Sequence, residues 1–431
     1  MSRPTTLAAW LAYLETLHPK AIAMGLDRVL AVSARMRASL SCPVVTVTGT
    51  NGKGSTCALL EAMLRAAGHR TGLYTSPHLL AYNERVRLAG VPVADDALIA
   101  AFNAVEDARA DVPLTYFEYG TLAALWLFAT AAPDAVVLEV GLGGRLDAVN
   151  IVDADVAVVT SIDLDHMDYL GPTREDIARE KAGIFRAGRP IVCAEPAPPE
   201  SLLAHARVLR APITLIGRDY GYVAADAQWE YWGPSGRRHG LPHPALRGAI
   251  QLVNAATAIT ALEFLRDRVH VGAGAIRDGL VGVLLPGRFQ VLPGRPAIVL
   301  DVAHNPQAAR AFAGALATMG FHPRTTAVFG MLADKDIAGV VDAVRTRIDR
   351  WYAVTLPGPR GASAAALRDK LLRAGVAATA IEAFDDVGTA VRAAREHAGE
   401  ADRIIVFGSF LTVGAAIKAL QPGATVATRH G

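Results

Sequence analysis

Between Gly49 and Ser55 the chain reads Gly-Thr-Asn-Gly-Lys-Gly-Ser, directly after the β-branched run Val44–Thr48. Glycines allow close backbone approach and positive φ, and a strand, turn and helix start aim backbone N–H groups and a helix dipole at one spot. The lysine adds a point charge, and the hydroxyl of Ser55 or Thr56 can face Mg²⁺. This is chemistry for a phosphate chain. Asn51, Gly52, Lys53, Gly54 and Ser55 are the candidate nucleotide contacts. The spacing departs from the usual G-x-x-x-x-G-K-[ST] by one extra glycine between lysine and serine. An ordinary strand–turn–helix corner with a solvated lysine is the plainer reading, and the density of glycines and hydroxyls around one lysine weighs against it.

Further candidates follow other apolar runs. Glu139 stands near the end of Ala135–Gly141. A carboxylate buried there is costly without a partner, so it wants a metal or a base. In phosphate-loop enzymes an acid on a neighbouring strand binds Mg²⁺. A structural pair with Arg145 is the plainer alternative. Gly141, Gly143 and Gly144 make a weak dinucleotide fingerprint, G-x-G-G with the third glycine missing. Asp163, Asp165, His166 and Asp168 follow Val156–Ile162, and their donors suit Mg²⁺ or Mn²⁺, set against a solvated acidic loop. Lys181, in AREKAGIF, reads as a helix-surface lysine beside Glu180. DVAHNP, Asp301–Pro306, places an acid, an imidazole and an amide at a strand tip before a proline-started helix, with a helix cap as the plainer reading. FGSF, Phe407–Phe410, ends the last strand in the same way.

These residues need a scaffold of buried strands. Apolar runs are read at Val44–Gly49, Thr71–Tyr74, Ala135–Gly141, Val156–Ile162, Pro190–Ala194, Ile213–Ile216, Ile298–Val302, Thr326–Phe329, Trp351–Leu356 and Arg403–Phe407. Amphipathic stretches separate them, as expected for parallel sheets covered by helices on both faces. Two helices, Thr6–Leu17 and Gly25–Met36, precede the first core strand. Pro286-Gly287 and Pro293-Gly294 mark a boundary between two α/β domains. Ala194–Glu200 is expected as a loop and Gln228–His243 as an exposed hairpin or loop. With 52% hydrophobic and 19% charged residues and a net charge of +2, the 431-residue chain favours two or three folded domains over disorder, and nothing calls for nucleic acid or an anionic membrane. Cys42, Cys57 and Cys193 match no metal or redox spacing, and neither a secretory start nor a membrane-length apolar run is present, so the expectation is a cytoplasmic protein.

Taken in order, GTNGKGS, TSPHL (Thr75–Leu79), NERV (Asn83–Val86), TYFE (Thr115–Glu118), EVGLGGRLDAVN, SIDLDH through EKAGI, GRF, DVAHNP, DKD (Asp334–Asp336) and FGSF closely resemble the bifunctional dihydrofolate synthase/folylpolyglutamate synthase family, a branch of the Mur ligase superfamily. The likeness spans most of the chain, and the extra glycine before Ser55 is that family's form of the phosphate loop. The resemblance implies a P-loop, Mur-ligase-like α/β domain over residues 1–285 that binds ATP and pterin or folate. A smaller Rossmann-like α/β glutamate-ligase domain would follow over 286–431. The phosphate loop begins too early for the separate UDP-binding domain of peptidoglycan ligases.

The implied reaction is carboxylate–amine ligation. ATP phosphorylates a carboxylate, the α-amine of L-glutamate attacks the acyl phosphate, and phosphate leaves. The acid would be dihydropteroate, giving dihydrofolate, or a folate glutamyl tail, giving folylpolyglutamate; the alternative is polyglutamylation only. By motif, Ser76 and Glu139 would bind one Mg²⁺ and His166 a second, with Mn²⁺ or K⁺ as alternatives. Lys181 would be carbamylated, which overrides its surface reading on family grounds. Lys53, Lys181, His304 and Asp301 are the implied catalytic residues, and Asn254, Arg288 and Asp301 join the phosphate loop in contacting ATP. Thr115, Tyr116, Phe117, Glu118, Leu146, Asp147 and Ala148 would line the pterin pocket, with a further loop around Lys20–Asp27. Lys335 and Ser409 would place glutamate. Domain closure near Arg288 would exclude water. The expected partners are ATP, L-glutamate, dihydropteroate and reduced folates, with the protein a monomer. A P-loop phosphotransferase leaves the second α/β domain unexplained, a dehydrogenase rests on Gly141–Gly144 alone, and a non-catalytic nucleotide-binding module sits poorly with Lys53, Glu139 and His166 all present.

Overall fold

The computed structural model describes residues 3–20, 22–36 and 38–421. Among these, the strands of the first sheet are β1 (Val44–Thr48), β2 (Thr71–Tyr74), β3 (Val86–Leu88), β4 (Val91–Pro92), β5 (Ala135–Glu139), β6 (Val156–Val159), β7 (Ile191–Cys193) and β8 (Ile213–Leu215), in the order β4-β3-β2-β5-β1-β6-β7-β8. From β2 to β8 the neighbours are parallel, as the apolar runs require; β3 and β4 are antiparallel additions at the edge, a departure from the all-parallel expectation. Both faces of β1 and β5 are buried throughout.

Helices α1 (Leu7–Thr16), α2 (Asp27–Met36), α3 (Lys53–Ala66), α4 (Asp95–Arg109), α5 (Tyr116–Ala131), α6 (Met167–Leu170), α7 (Arg174–Ala182), α8 (Glu200–Val208), α9 (Ile250–Glu263) and α10 (Ala273–Gly282) accompany this sheet. Trp10 and Leu14 of α1 and Val29 and Val32 of α2 join Phe102 and Tyr119 in the core, so both N-terminal helices are part of the fold. Gln228–His243 forms an antiparallel hairpin, β10 (Gln228–Gly233) with β11 (Gly236–Pro242), joined by β9 (Gly221–Ala224). It is not wholly exposed: Trp229 and Tyr231 are buried, and the Tyr231 hydroxyl meets Thr260 and Glu263 of α9.

The chain divides into two compact units, Met1–Ala245 with Gln251–Leu284, and Leu246–Ile250 with Leu285–Gly431. The second holds β12 (Gln290–Leu292), β13 (Ala297–Asp301), β14 (Thr325–Phe329), β15 (Arg350–Val354), β16 (Ile381–Phe384) and β17 (Arg403–Phe407), ordered β12-β13-β17-β14-β15-β16. All neighbours are parallel except β12. Its helices are α11 (Pro306–Ala317), α12 (Ile337–Val344), α13 (Ala364–Arg373), α14 (Val387–His397) and α15 (Phe410–Leu420), and Phe312, Phe329, Trp351 and Phe407 centre its core. No helix among the described residues is long and apolar enough to cross a membrane.

Helix α3, which the phosphate loop opens, is set by a close backbone approach. A Cβ on Gly279 of α10 would lie 2.7 Å from the backbone of Met63. We expect Gly279→Ala to lower the urea midpoint even though alanine is the better helix former by ~1 kcal/mol, because overpacking there costs about 1–3 kcal/mol. Gly282→Ala, where an added Cβ meets nothing within 4 Å, is the control and should hold or raise the midpoint.

Candidate active site

In the first unit the chemistry-bearing residues leave the carboxyl ends of four adjacent parallel strands, β2, β5, β1 and β6, where open α/β sheets hold ligands. Gly49 has φ +148°, and a Cβ there would stand 1.8 Å from the Thr160 hydroxyl. Gly52, the residue before α3, has φ +91°, and its Cβ would meet Asn254 Oδ1 at 2.8 Å. Only glycine fits either place. The loops after β1 and β6 are then stitched together. The Thr50 hydroxyl donates to Asp163 O and accepts from Asp163 N–H, each at 3.0 Å. The hydroxyls of Thr160 and Ser161 donate to Asn51 O at 2.6 and 3.1 Å, and Asn51 N–H donates back to Ser161 Oγ at 3.0 Å. Lys53 Nζ lies 2.9 Å from Gly49 O and 3.2 Å from Thr50 O. Ser55 is buried; Thr56, the other hydroxyl considered for Mg²⁺, is buried too and turned towards Asn254 of α9 at a long 3.5 Å.

Glu139 is the last residue of β5, buried, and accepts the Ser76 N–H at 3.0 Å. The alternative pair with Arg145 does not form: Arg145 bonds Glu180 at 2.8 Å. Nor do Gly141–Gly144 precede an α-helix as a dinucleotide fingerprint needs; Leu146 and Asp147 lead into a 3₁₀ turn, Ala148–Ile151. A Cβ on Gly144 would come within 3.0 Å of the Glu180 and Lys181 carbonyls, so this glycine admits the end of α7.

That approach buries Lys181, which is 3% exposed, and the surface-lysine reading fails. Burial first, and then the charge of Lys53, bring its pKa down to about 7, with Asp165 and Asp147 pulling the other way. Asp147 is itself pushed up to about 6 by burial, against bonds from the Leu142 and Val149 N–H groups. Lys53, Lys181, Asp147 and Asp165 therefore share one electrostatic environment. His166, before α6, has φ +52°; its N–H donates to Asp165 Oδ1 at 2.9 Å.

Thr115 and Glu118 form a capping box on α5, with Glu118 N–H to Thr115 Oγ1 at 3.2 Å and Thr115 N–H to Glu118 Oε2 at 2.8 Å. Arg28 also bonds Glu118 at 2.8 Å and reaches the Ala23 carbonyl at 2.7 Å. The polar ends of TYFE are thus engaged in structure, while Tyr116 and Phe117 are half-buried, and the Phe117 ring packs over Gly141. Ala21, within the expected Lys20–Asp27 loop, lies outside the described residues.

Among the described residues no group of three or more His, Cys, Asp or Glu side chains is placed to hold a metal ion. Ser76 with Glu139, and His166 separately, fit a divalent cation that completes its shell with phosphate oxygens and water, the habit of Mg²⁺. Oxygen donors suit Mg²⁺ or Mn²⁺, and the imidazole adds a preference for Mn²⁺.

In the second unit, β13, β17 and β14 are parallel neighbours whose carboxyl ends carry Asp301, Ser409 and the loop with Lys335. Asp301 accepts the Phe289 and Ala303 N–H groups, each at 2.8 Å, and so braces the Gly-Arg-Phe turn; burial raises its pKa while Arg288 opposes. His304 Nδ1 lies 2.9 Å from Val302 O. A carbonyl only accepts, so Nδ1 carries the proton and Nε2 is the basic nitrogen. Asn305 caps α11, as the helix-cap reading had it, and Ser409 caps α15 through Thr412 N–H. The sequence reading passed over Phe410: the Arg288 guanidinium lies 5.0 Å above its ring, and the His304 ring centre is 6.2 Å away. Phe410 is the last residue of FGSF, next to Ser409.

Two family descriptions match the chain: the Mur ligase middle domain over residues 47–194 and the Mur ligase glutamate ligase domain over 287–410. The dihydrofolate synthase/folylpolyglutamate synthase of Escherichia coli K12 is 48% identical over 408 residues, covering 94% of each chain. The solved structure of E. coli FolC in complex with DHPP and ADP superposes with a TM-score of 0.91 at 47% identity, covering 96% of this chain and 97% of that one. A bifunctional folylpolyglutamate synthase/dihydrofolate synthase with Mn, AMPPNP and L-glutamate bound gives 0.89 at 46% identity, covering 96% and 98%. The chain belongs to the dihydrofolate synthase/folylpolyglutamate synthase family of the Mur ligases.

Proposed function

We propose that the chain is an ATP-dependent, ADP-forming ligase that joins L-glutamate to dihydropteroate, giving dihydrofolate, and to the glutamyl tail of reduced folates, giving folylpolyglutamate. The γ-phosphoryl group of ATP passes to the acid's carboxylate, releasing ADP. The neutral α-amine of glutamate attacks the acyl carbon, and the tetrahedral intermediate collapses to the amide with loss of phosphate and a proton. The observation that carries this reading is a buried Lys181 with a pKa of about 7 beside Lys53, at the carboxyl ends of the strands. Lys53 is the cation for the transferred phosphoryl group. The neutral form of Lys181, about half of it near pH 7, can add CO₂ to give a carbamate and a proton, which replaces a lysine charge by an anion and removes repulsion against Lys53.

Ser76 and Glu139 are read as ligands of one Mg²⁺ and His166 of a second; bound there, the ions would neutralise phosphate charge. Asn51–Ser55 and Asn254 are assigned to ATP, as are Arg288 and Asp301 of the second unit. Phe410 supports Arg288 by a cation–π contact. Tyr116, Phe117 and Leu146–Ala148 are assigned to the pterin. Lys335 and Ser409 are assigned to glutamate, Ser409 through the helix end that it caps. His304 is assigned to face the reaction centre. The protein is read as a cytoplasmic monomer, with its three cysteines unpaired.

ADP release with Mg²⁺-ATP and L-glutamate, run with dihydropteroate and with tetrahydrofolate in parallel, tests the reading. Turnover with both acids is expected. Turnover with tetrahydrofolate alone would leave a polyglutamylase and undo the pterin assignments; none with either would remove the proposal.

Lys181→Ala should lower kcat by at least about 100-fold, the scale of losing one preorganised charge. A ¹³CO₂-derived carbamate resonance should be present in the wild type and missing in the variant. Wild-type activity in the variant would end the carbamate assignment. Stability gives an independent check. A lysine titrating near 7 when folded, against 10.5 ordinarily, leaves the unfolded chain with more bound protons between those values, so stability rises with pH across that window. In CO₂-free buffer, the urea midpoint of the wild type relative to Lys181→Met should therefore climb from pH 7 to 10. A flat difference would mean that Lys181 is not held neutral by the fold.

A further inference from the structure

His166 sits in a left-handed conformation on a short loop between β6 and α6, and such a residue keeps its direction only if the backbone on either side is fixed. Before His166 the loop is anchored through Thr50 and Asp163. A second anchor, at Ile162 on the same side, reaches across to Arg174 beyond His166 and is an ion pair with no part in the chemistry described so far. The N–H of Ile162 donates to Glu195 Oε2 at 2.9 Å, and its carbonyl accepts from Arg174 Nε at 3.0 Å. Arg174 Nη2 then lies 3.0 Å from Glu195 Oε1 and 3.2 Å from Ala197 O, and Ala197 N–H donates to Glu195 Oε1 at 3.2 Å. Both polar groups of one peptide residue are thereby gripped by two side chains that grip each other. Glu195 follows β7 and is almost fully buried; Arg174 opens α7, the helix that also carries Lys181.

The grip is cooperative and geometric. Charge-assisted bonds are shorter and stronger than neutral ones, and the planar guanidinium can serve a carboxylate and two carbonyls at once. A lysine would keep the charge but lose that reach. The loop after β6, the loop after β7 and the first turn of α7 are held as one piece. His166 follows Ile162 on the gripped loop, and Lys181 lies on the helix that Arg174 opens.

We infer that Arg174 and Glu195 are positioning residues for the second metal site, fixing the loop that aims His166. This rests on the reading of His166 as a metal ligand. Partners of this kind typically change metal affinity 10–100-fold when removed.

Mn²⁺ binding followed by electron paramagnetic resonance, with a saturating non-hydrolysable ATP analogue, measures the sites without turnover. The wild type should bind two ions, and His166→Ala identifies the second. In Arg174→Gln and Arg174→Lys the second site should weaken by about tenfold or more while the first stays as in the wild type, and the thermal midpoint of Arg174→Lys should stay close to that of the wild type. Two unchanged sites in either folded variant would overturn the inference. So would parallel weakening of both sites together with a lowered thermal midpoint in Arg174→Lys, the mark of general support. A wild type that binds one ion, or whose second ion survives His166→Ala, would remove the reading of His166 and the inference with it.

Discussion

The site depends on one close approach. The loop after β1 can meet the loop after β6 because Gly49 has no side chain where Thr160 Oγ1 stands, 1.8 Å from where a Cβ would be. Through that gap Thr50, Asn51, Thr160, Ser161 and Asp163 exchange hydrogen bonds that would otherwise be left as buried polar groups. The phosphate loop is thereby not a free turn. It is pinned to the strand whose next residues lead to His166, so a nucleotide held by one loop is in register with whatever the other loop holds. Gly52 repeats the device on the opposite side, where Asn254 takes up the space.

The electrostatics follow from the same compactness. Bringing α7 against the Gly143-Gly144 turn buries Lys181 near Lys53, and two ammonium groups in a desolvated pocket are mutually unfavourable. The pocket offsets this unevenly. Lys53 has the carbonyls of Gly49 and Thr50, while Lys181 is displaced towards the neutral form. A lysine held towards the neutral form beside another lysine is an arrangement that costs stability when it is protonated, and it is the observation that the proposed carbamate rests on.

Strand positions were legible because strands buried on both faces announce themselves as apolar runs; Thr71–Tyr74 and Arg403–Phe407 coincide with their runs, and the others differ by a few residues at their ends. The edges were not. Val86–Leu88 carries a charged Arg87, and Ile381–Phe384 is only half buried, so neither reads as a core strand. The grouping of Leu246–Ile250 with the second unit has no compositional signal, since it follows from packing and not from a change in residue type. At the site, the motif residues were visible by type and spacing. The burial of Lys181 was not, because its helix is polar in sequence and the cover comes from glycines some 37 positions earlier, with Gly144 against Lys181. The same holds for Arg174 with Glu195 and for Phe410 beneath Arg288, whose partners are distant in sequence.

The division of labour between protein and substrate follows from the donor set. If Ser76 with Glu139 and His166 hold the ions as proposed, then with no group of three His, Cys, Asp or Glu side chains placed for a metal among the described residues, the protein by itself offers too few ligands to dehydrate a hard cation strongly. On that reading most of each coordination shell would come from phosphate oxygens and water. Metal binding would then be linked to nucleotide binding: whatever holds the phosphate chain in register with the loop after β6 would raise the affinity for the ions, and the ions would raise the affinity for the nucleotide by the same factor. The glycine gap between β1 and β6 would then be where the two equilibria meet, and a side chain placed there, where Thr160 Oγ1 stands, would weaken both together.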